Sequence, residues 1–170
     1  IPFARDYTEG KLNLCTVIGF PLGYTTTVGK CAEARDAIAN GASEIDMVAN
    51  ICNIKNGRFD LVEEDIREVK KACGDKILKV IIETCLLNDE QKVNACLCAK
   101  NAGADFVKTS TGKIDVAATP EAAFVMCHAI KDYYNQTGRK VGFKAAGGVK
   151  TPEDAALYYT IVEEVLGKEW

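Results

Sequence analysis

Residues 103–110 read GADFVKTS, and residues 41–48 read GASEIDMV. Each stretch opens on a glycine that closes a helical pattern and then runs into apolar residues. Each also carries a charge five positions after that glycine, Lys108 in the first and Asp46 in the second. Short apolar runs bounded by turn signals read as buried strands. Alternation places Ile45 and Met47 on the face opposite Asp46, and Val107 opposite Lys108. Two runs in the same phase predict that Asp46 and Lys108 hold equivalent positions and point into one shared interior.

The same pattern extends along the chain. Further strand candidates are 12–19, 77–83 and 141–145, beside 44–49 and 105–110. Their starts recur roughly every 30 residues, the length of one βα unit. The helical stretches between them carry their own signals. Thr27 is placed to cap a helix through Ala34 and Ile38 that stops at Asn40-Gly41, and a second helix spans 59–72 and stops at Gly74. Asn88 with Gln91 fits a capping box for a helix ending near Gly103. Thr119 before Pro120, and Thr151 before Pro152, open two more.

Strands alternating with helices imply an α/β fold, a parallel sheet covered by helices. A doubly wound sheet and a (β/α)8 barrel both satisfy that description. Residues 19–30, GFPLGYTTTVGK, contain neither GxGxxG nor a GKS/T P-loop, which weakens the nucleotide-binding version of the first. A barrel places its functional groups at the C-terminal ends of the strands, where the charges of this chain cluster.

At 170 residues the chain is one domain's worth, and a net charge of -3 gives no electrostatic case for nucleic-acid or anionic-membrane partners. No apolar run approaches the ~18 residues of a membrane-spanning helix. The eight cysteines are irregularly spaced without a CxxC pair, and His128 is the only histidine, so no zinc site is expected. Cys15 in LNLCTVIGF and Cys98 in ACLCAK read as small core residues, the reduced thiols of a cytoplasmic protein. His128, Tyr133-Tyr134 and Tyr158-Tyr159 fall on helices and read as surface or packing residues.

Lys79 in ILKVIIET and Lys144 in VGFKAAGG repeat the oddity of Lys108, an ammonium inside an apolar run. Lysine is almost never fully buried unless paired. With Asp46 these three could close an ion-pair lattice that turns nothing over. Three lysines against few acids leave positive charge in excess, however, and that suits chemistry. Two ammonium groups about 4 Å apart repel by roughly 4 kcal/mol at an effective dielectric of 20, or about three pK units. One of them could then be a free amine near neutral pH, a nucleophile toward carbonyl carbon, with Asp46 moving protons. Gly112-Lys113 follow Lys108, and Gly147-Gly148 follow Lys144. Freed backbone amides and a lysine suit a phosphate, although a double glycine also marks a plain tight turn. Glu83 ends its strand on the same side, as scaffolding.

CTVIGFPLG, EIDMV, LKVIIET, ADFVKTSTGK and VGFKAAGGVKTPEDA together resemble the deoxyribose-phosphate aldolase family, class I aldolases on a TIM barrel, across essentially the whole chain. The resemblance implies that Lys108 forms a Schiff base, that Lys144 depresses its pKa and relays protons, and that Asp46 is the proton relay. It also implies that Gly112, Lys113, Gly147 and Gly148 hold the substrate phosphate. Lys79 is then a supporting neighbour, with Glu83 as its partner. The implied reaction is reversible cleavage of 2-deoxy-D-ribose 5-phosphate to D-glyceraldehyde 3-phosphate and acetaldehyde, in deoxyribonucleotide catabolism, with no metal and no cofactor. Implied partners are the sugar phosphate and aldehydes, and a homodimer or higher oligomer. The family pattern has two strands before IPFAR and an eighth after Trp170, so residues 1–170 are expected to form a single aldolase domain of about five βα units, incomplete at both ends. Alternatives are a class I aldolase for another sugar phosphate and a non-catalytic barrel fragment.

Overall fold

The computed structural model describes residues Ile1–Trp170. Five parallel strands, β1 (Cys15–Ile18), β2 (Glu44–Val48), β3 (Ile77–Ile81), β4 (Phe106–Lys108) and β5 (Gly142–Lys144), pair in chain order. A doubly wound sheet needs a point where strand order reverses, and this sheet has none. Consecutive parallel strands joined by crossovers of one hand put every helix on the same face. The architecture is therefore singly wound, as in a (β/α)8 barrel, over five βα units.

The covering helices are α2 (Thr27–Ala39), α4 (Phe59–Cys73), α5 (Asp89–Asn101), α6 (Pro120–Thr137) and α7 (Pro152–Leu166), each packed on the next. Short helices α1 (Pro2–Tyr7) and α3 (Ile51–Lys55), and a 3-10 turn at Thr84–Leu86, carry too little periodicity to be read beforehand. Under the helices Ile45, Met47, Leu78, Val80 and Val107 are fully buried, as alternation requires. The strands are shorter than their apolar runs, because the flanking residues turn into the loops that carry the site.

Helix starts follow the caps with one exception. Thr26, not Thr27, accepts from Gly29 N at the start of α2, while the Thr27 hydroxyl donates to Asp65 on α4. The Asn88–Gln91 capping box is present in both directions. Asn88→Ala leaves the Gln91 amide without its side-chain acceptor and should lower stability by about 1 kcal/mol, read as a fall in the urea midpoint at unchanged slope.

Candidate active site

Beyond the helix-covered layer, the opposite face of the sheet carries charge. Asp46 on β2 lies in register with Lys79 on β3, and Lys79 with Phe106 on β4. Lys108 is two residue pairs further along, opposite Ile81 on β3 and Lys144 on β5. Asp46 and Lys108 therefore share a face but not a level. The stagger between strands displaces one from the other by two residues, contrary to the equivalence expected from their spacing after glycine. The long lysine stem spans that step, and Lys108 Nζ donates to Asp46 Oδ2 at 2.5 Å. Lys144 is Lys108's register partner across the β4–β5 pair, with its own side chain exposed.

The other oxygen of Asp46 is held as firmly. Lys79 Nζ donates to Asp46 Oδ1 at 2.9 Å and to Glu44 Oε2 at 2.5 Å. The Cys15 thiol on β1 also reaches Asp46 Oδ1, at 3.2 Å. Burial alone pushes the Asp46 carboxyl up. The hydrogen-bonded ammonium groups of Lys108 and Lys79 outweigh it and hold the group below the usual carboxylate range. Burial likewise pulls Lys79 down, but Glu44 and Asp46 more than reverse this and keep it charged. Burial, then the charge of Asp46, pushes the Cys15 thiol up, so it stands here as a neutral thiol.

These contacts overturn two expectations. Glu83 does not partner Lys79: its carboxylate is taken by the Thr111 backbone and hydroxyl, and Lys79 is held by Glu44 and Asp46 instead. Cys15 is not a core residue but an exposed thiol touching the charged network. Glu44 went unread because a carboxylate at a strand's first residue looks like a solvated end; its only signal was the i, i+2 spacing to Asp46. Cys98 is a buried structural residue as expected, Cys96 is buried with it, and His128 is exposed on α6, its ring 4.3 Å from that of Phe124.

Above this network lies a layer of loops. Glu83, 2% exposed, accepts from both the backbone N–H and the hydroxyl of Thr111, and the Thr111 hydroxyl in turn accepts from Lys113 N at 3.1 Å. Glu83 adopts φ +53°, a left-handed conformation that costs a residue with a side chain about 1 kcal/mol or more. The strain is maintained where a buried carboxylate braces the 111–113 turn. Gly112 and Gly147 bring their turns together, since a Cβ on Gly147 would lie 3.2 Å from Gly112 Cα and 2.6 Å from Ala117 Cβ. Only glycine fits there, and its φ of +77° asks for glycine as well. Gly112, Lys113 and Gly148 are exposed on the same rim.

The depressed Asp46 carboxyl has a consequence for stability. Its folded-state value lies below the unfolded one, so it contributes stability above about pH 4 that disappears as pH falls toward the depressed value. Urea midpoints of the native protein should therefore drop across that acid range. Asp46→Asn should flatten that part of the profile, and an unchanged acid slope would show the carboxylate to be uncoupled from folding.

An amine and a carboxylate in contact on the open face of a singly wound βα sheet, with glycine turns on the rim above, is an arrangement suited to an aldolase. A family model described as DeoC/LacD family aldolase matches residues 4–166, and the chain belongs to that family. It is 49% identical over 164 residues to the deoxyribose-phosphate aldolase of Clostridioides difficile (strain 630), covering 96% of this chain and 72% of that one. Identity to the enzyme of that name from Streptococcus pyogenes serotype M28 is also 49%, covering 96% and 70%. Among solved structures, a Coccidioides immitis protein provisionally assigned as a deoxyribose-phosphate aldolase superposes with a TM-score of 0.87 at 37% identity, covering 94% of this chain and 62% of that one. The tetrameric deoxyribose phosphate aldolase of Aeropyrum pernix gives 0.74 at 29% identity, covering 95% and 64%. The chain thus spans less than two thirds of those two solved structures.

Proposed function

We propose that this chain carries the catalytic centre of a class I aldolase that reversibly cleaves 2-deoxy-D-ribose 5-phosphate to D-glyceraldehyde 3-phosphate and acetaldehyde. The observation that carries the reading is the Lys108–Asp46 contact of 2.5 Å with Lys144 as the register neighbour of Lys108. Lys108, in contact with the carboxylate, is the nucleophile of this reading, and Lys144 stands on the neighbouring strand beside it. Lys108 Nζ attacks the C1 aldehyde carbon of the open-chain sugar, and loss of water gives the protonated imine. Removal of the C3 hydroxyl proton breaks the C2–C3 bond, and its electron pair moves into the imine to form an enamine. Glyceraldehyde 3-phosphate leaves; protonation at C2 and addition of water release acetaldehyde and restore the amine. Asp46, in contact with the reacting nitrogen, and Lys144 are the groups placed to carry these protons.

Gly112, Lys113, Gly147 and Gly148 are the phosphate-binding residues of this reading, supported by the meeting of their two turns and by the bracing of Lys113 through Thr111 and Glu83. Lys79 supports Asp46. Residues 1–170 then form one aldolase domain, contributing five βα units to the barrel. The tetrameric relative supports self-association, and a cytoplasmic setting suits eight free cysteines. No helix is long and apolar enough to cross a membrane.

Borohydride reduction in the presence of acetaldehyde tests the reading. An ethyl group found on Lys108 by peptide mass mapping supports it, while a folded protein that yields no adduct there refutes it. Cleavage assays with several sugar phosphates separate the deoxyribose substrate from its alternatives.

A further inference from the structure

Glu44 and Asp46 lie two residues apart on one strand and therefore on one face, like charges with Lys79 between them. An ammonium has three N–H donors. Those of Lys79 have three partners: Glu44 Oε2 at 2.5 Å, Asp46 Oδ1 at 2.9 Å and Cys15 Sγ at 3.4 Å. This tripod confines Lys79 to the Oδ1 side of Asp46, leaving Oδ2 for Lys108. Little water reaches the group, since the Lys79 and Asp46 side chains are 10% and 6% exposed. Without Glu44 one Lys79 donor loses its acceptor, and the ammonium is free to move onto Oδ2 in competition with Lys108.

We propose that Glu44 is a positioning residue of the site, acting through Lys79 to set which oxygen of Asp46 faces Lys108 and how readily Asp46 takes up a proton. The inference rests on the reading of Asp46 as proton carrier. The charged and titratable groups around Asp46 are Cys15 from β1, Glu44 on its own strand, Lys79 from β3 and Lys108 from β4, with Lys144 on β5 next to Lys108. Glu44 is a negative group that offsets Lys79, so it raises the proton affinity of Asp46. Its removal lowers that affinity twice over, by deleting a like charge and by releasing Lys79 to bind Asp46 alone.

Carbon-13 titration of the Asp46 carboxyl, alongside the rate of borohydride-trapped adduct at Lys108, tests this. In Glu44→Gln the Asp46 midpoint should fall by about one to two pK units, and trapping should slow on the order of tenfold. Glu44→Asp should keep both near wild type. Lys79→Met should move the midpoint in the opposite direction, and the double variant should return toward wild type. Glu44→Ala gives an independent reading of the same shift should Glu44→Gln fold poorly. An unchanged Asp46 midpoint in the Glu44 variants, or shifts of the same sign in Glu44→Gln and Lys79→Met, overturns the inference. If the shifts appear but wild-type Lys108 forms no adduct, the proposed function fails and the electrostatic role of Glu44 stands.

Discussion

Lys108→Met is expected to eliminate the trapped acetaldehyde adduct, with at least a hundredfold less reduced imine than wild type under the same conditions. Methionine keeps an unbranched apolar stem of similar length, so packing on the strand is largely preserved. What disappears is the only nitrogen in contact with Asp46 Oδ2. Lys144→Met is the informative companion, because it keeps the nucleophile and removes the neighbouring positive charge. Adduct should still form on Lys108. Adduct persisting at full yield in Lys108→Met would move the nucleophile to another lysine.

Asp65→Ala should cost about 3–5 kcal/mol of stability, the largest effect expected of any substitution outside the site. Lys30 Nζ on α2 donates to Asp65 Oδ2 on α4 at 2.6 Å, and the Lys30 side chain is fully buried. Thr27 supplies a second hydrogen bond to the same carboxylate at 2.8 Å. Deleting the carboxylate leaves an ammonium in the interior without its counter-charge, and water cannot easily replace it there. Replacing both partners with apolar residues of similar volume, as in Lys30→Met with Asp65→Leu, should restore most of the loss, because no charge remains to be solvated. Equilibrium urea unfolding of the two variants checks this. Equal destabilisation of single and double variants would show that packing, not the unpaired charge, carries the cost.

Local physics accounts for what could be read before the structure. Capping at Asn88, Thr119 and Thr151 depends on residues within one turn, so those helix starts were correct, while Thr26 displaced Thr27 because neighbouring threonines offer equivalent oxygens and only the contact with Asp65 distinguishes them. The opposed faces of Ile45 and Asp46, and of Val107 and Lys108, follow from alternation along any strand. Beyond its i, i+2 spacing to Asp46, nothing local distinguishes Glu44 from a solvated strand end, or Cys15 from a core cysteine. Both acquire meaning from side chains more than thirty positions away.

The amino-acid sequence by itself determined the alternation of strands and helices, the faces on which Asp46, Lys79 and Lys108 lie, and the glycine turns that follow Lys108 and Lys144. The periods and caps that encode these act over a few residues. Strand order, the stagger that displaces Lys108 by two residues from the level of Asp46, the pairing of Lys79 with Glu44, and the bracing of Thr111 by Glu83 were decided by the tertiary structure. Each depends on how hydrogen-bond register and helix packing align separate strands. A lysine stem can reach several carboxylates, and the register of the sheet selects among them.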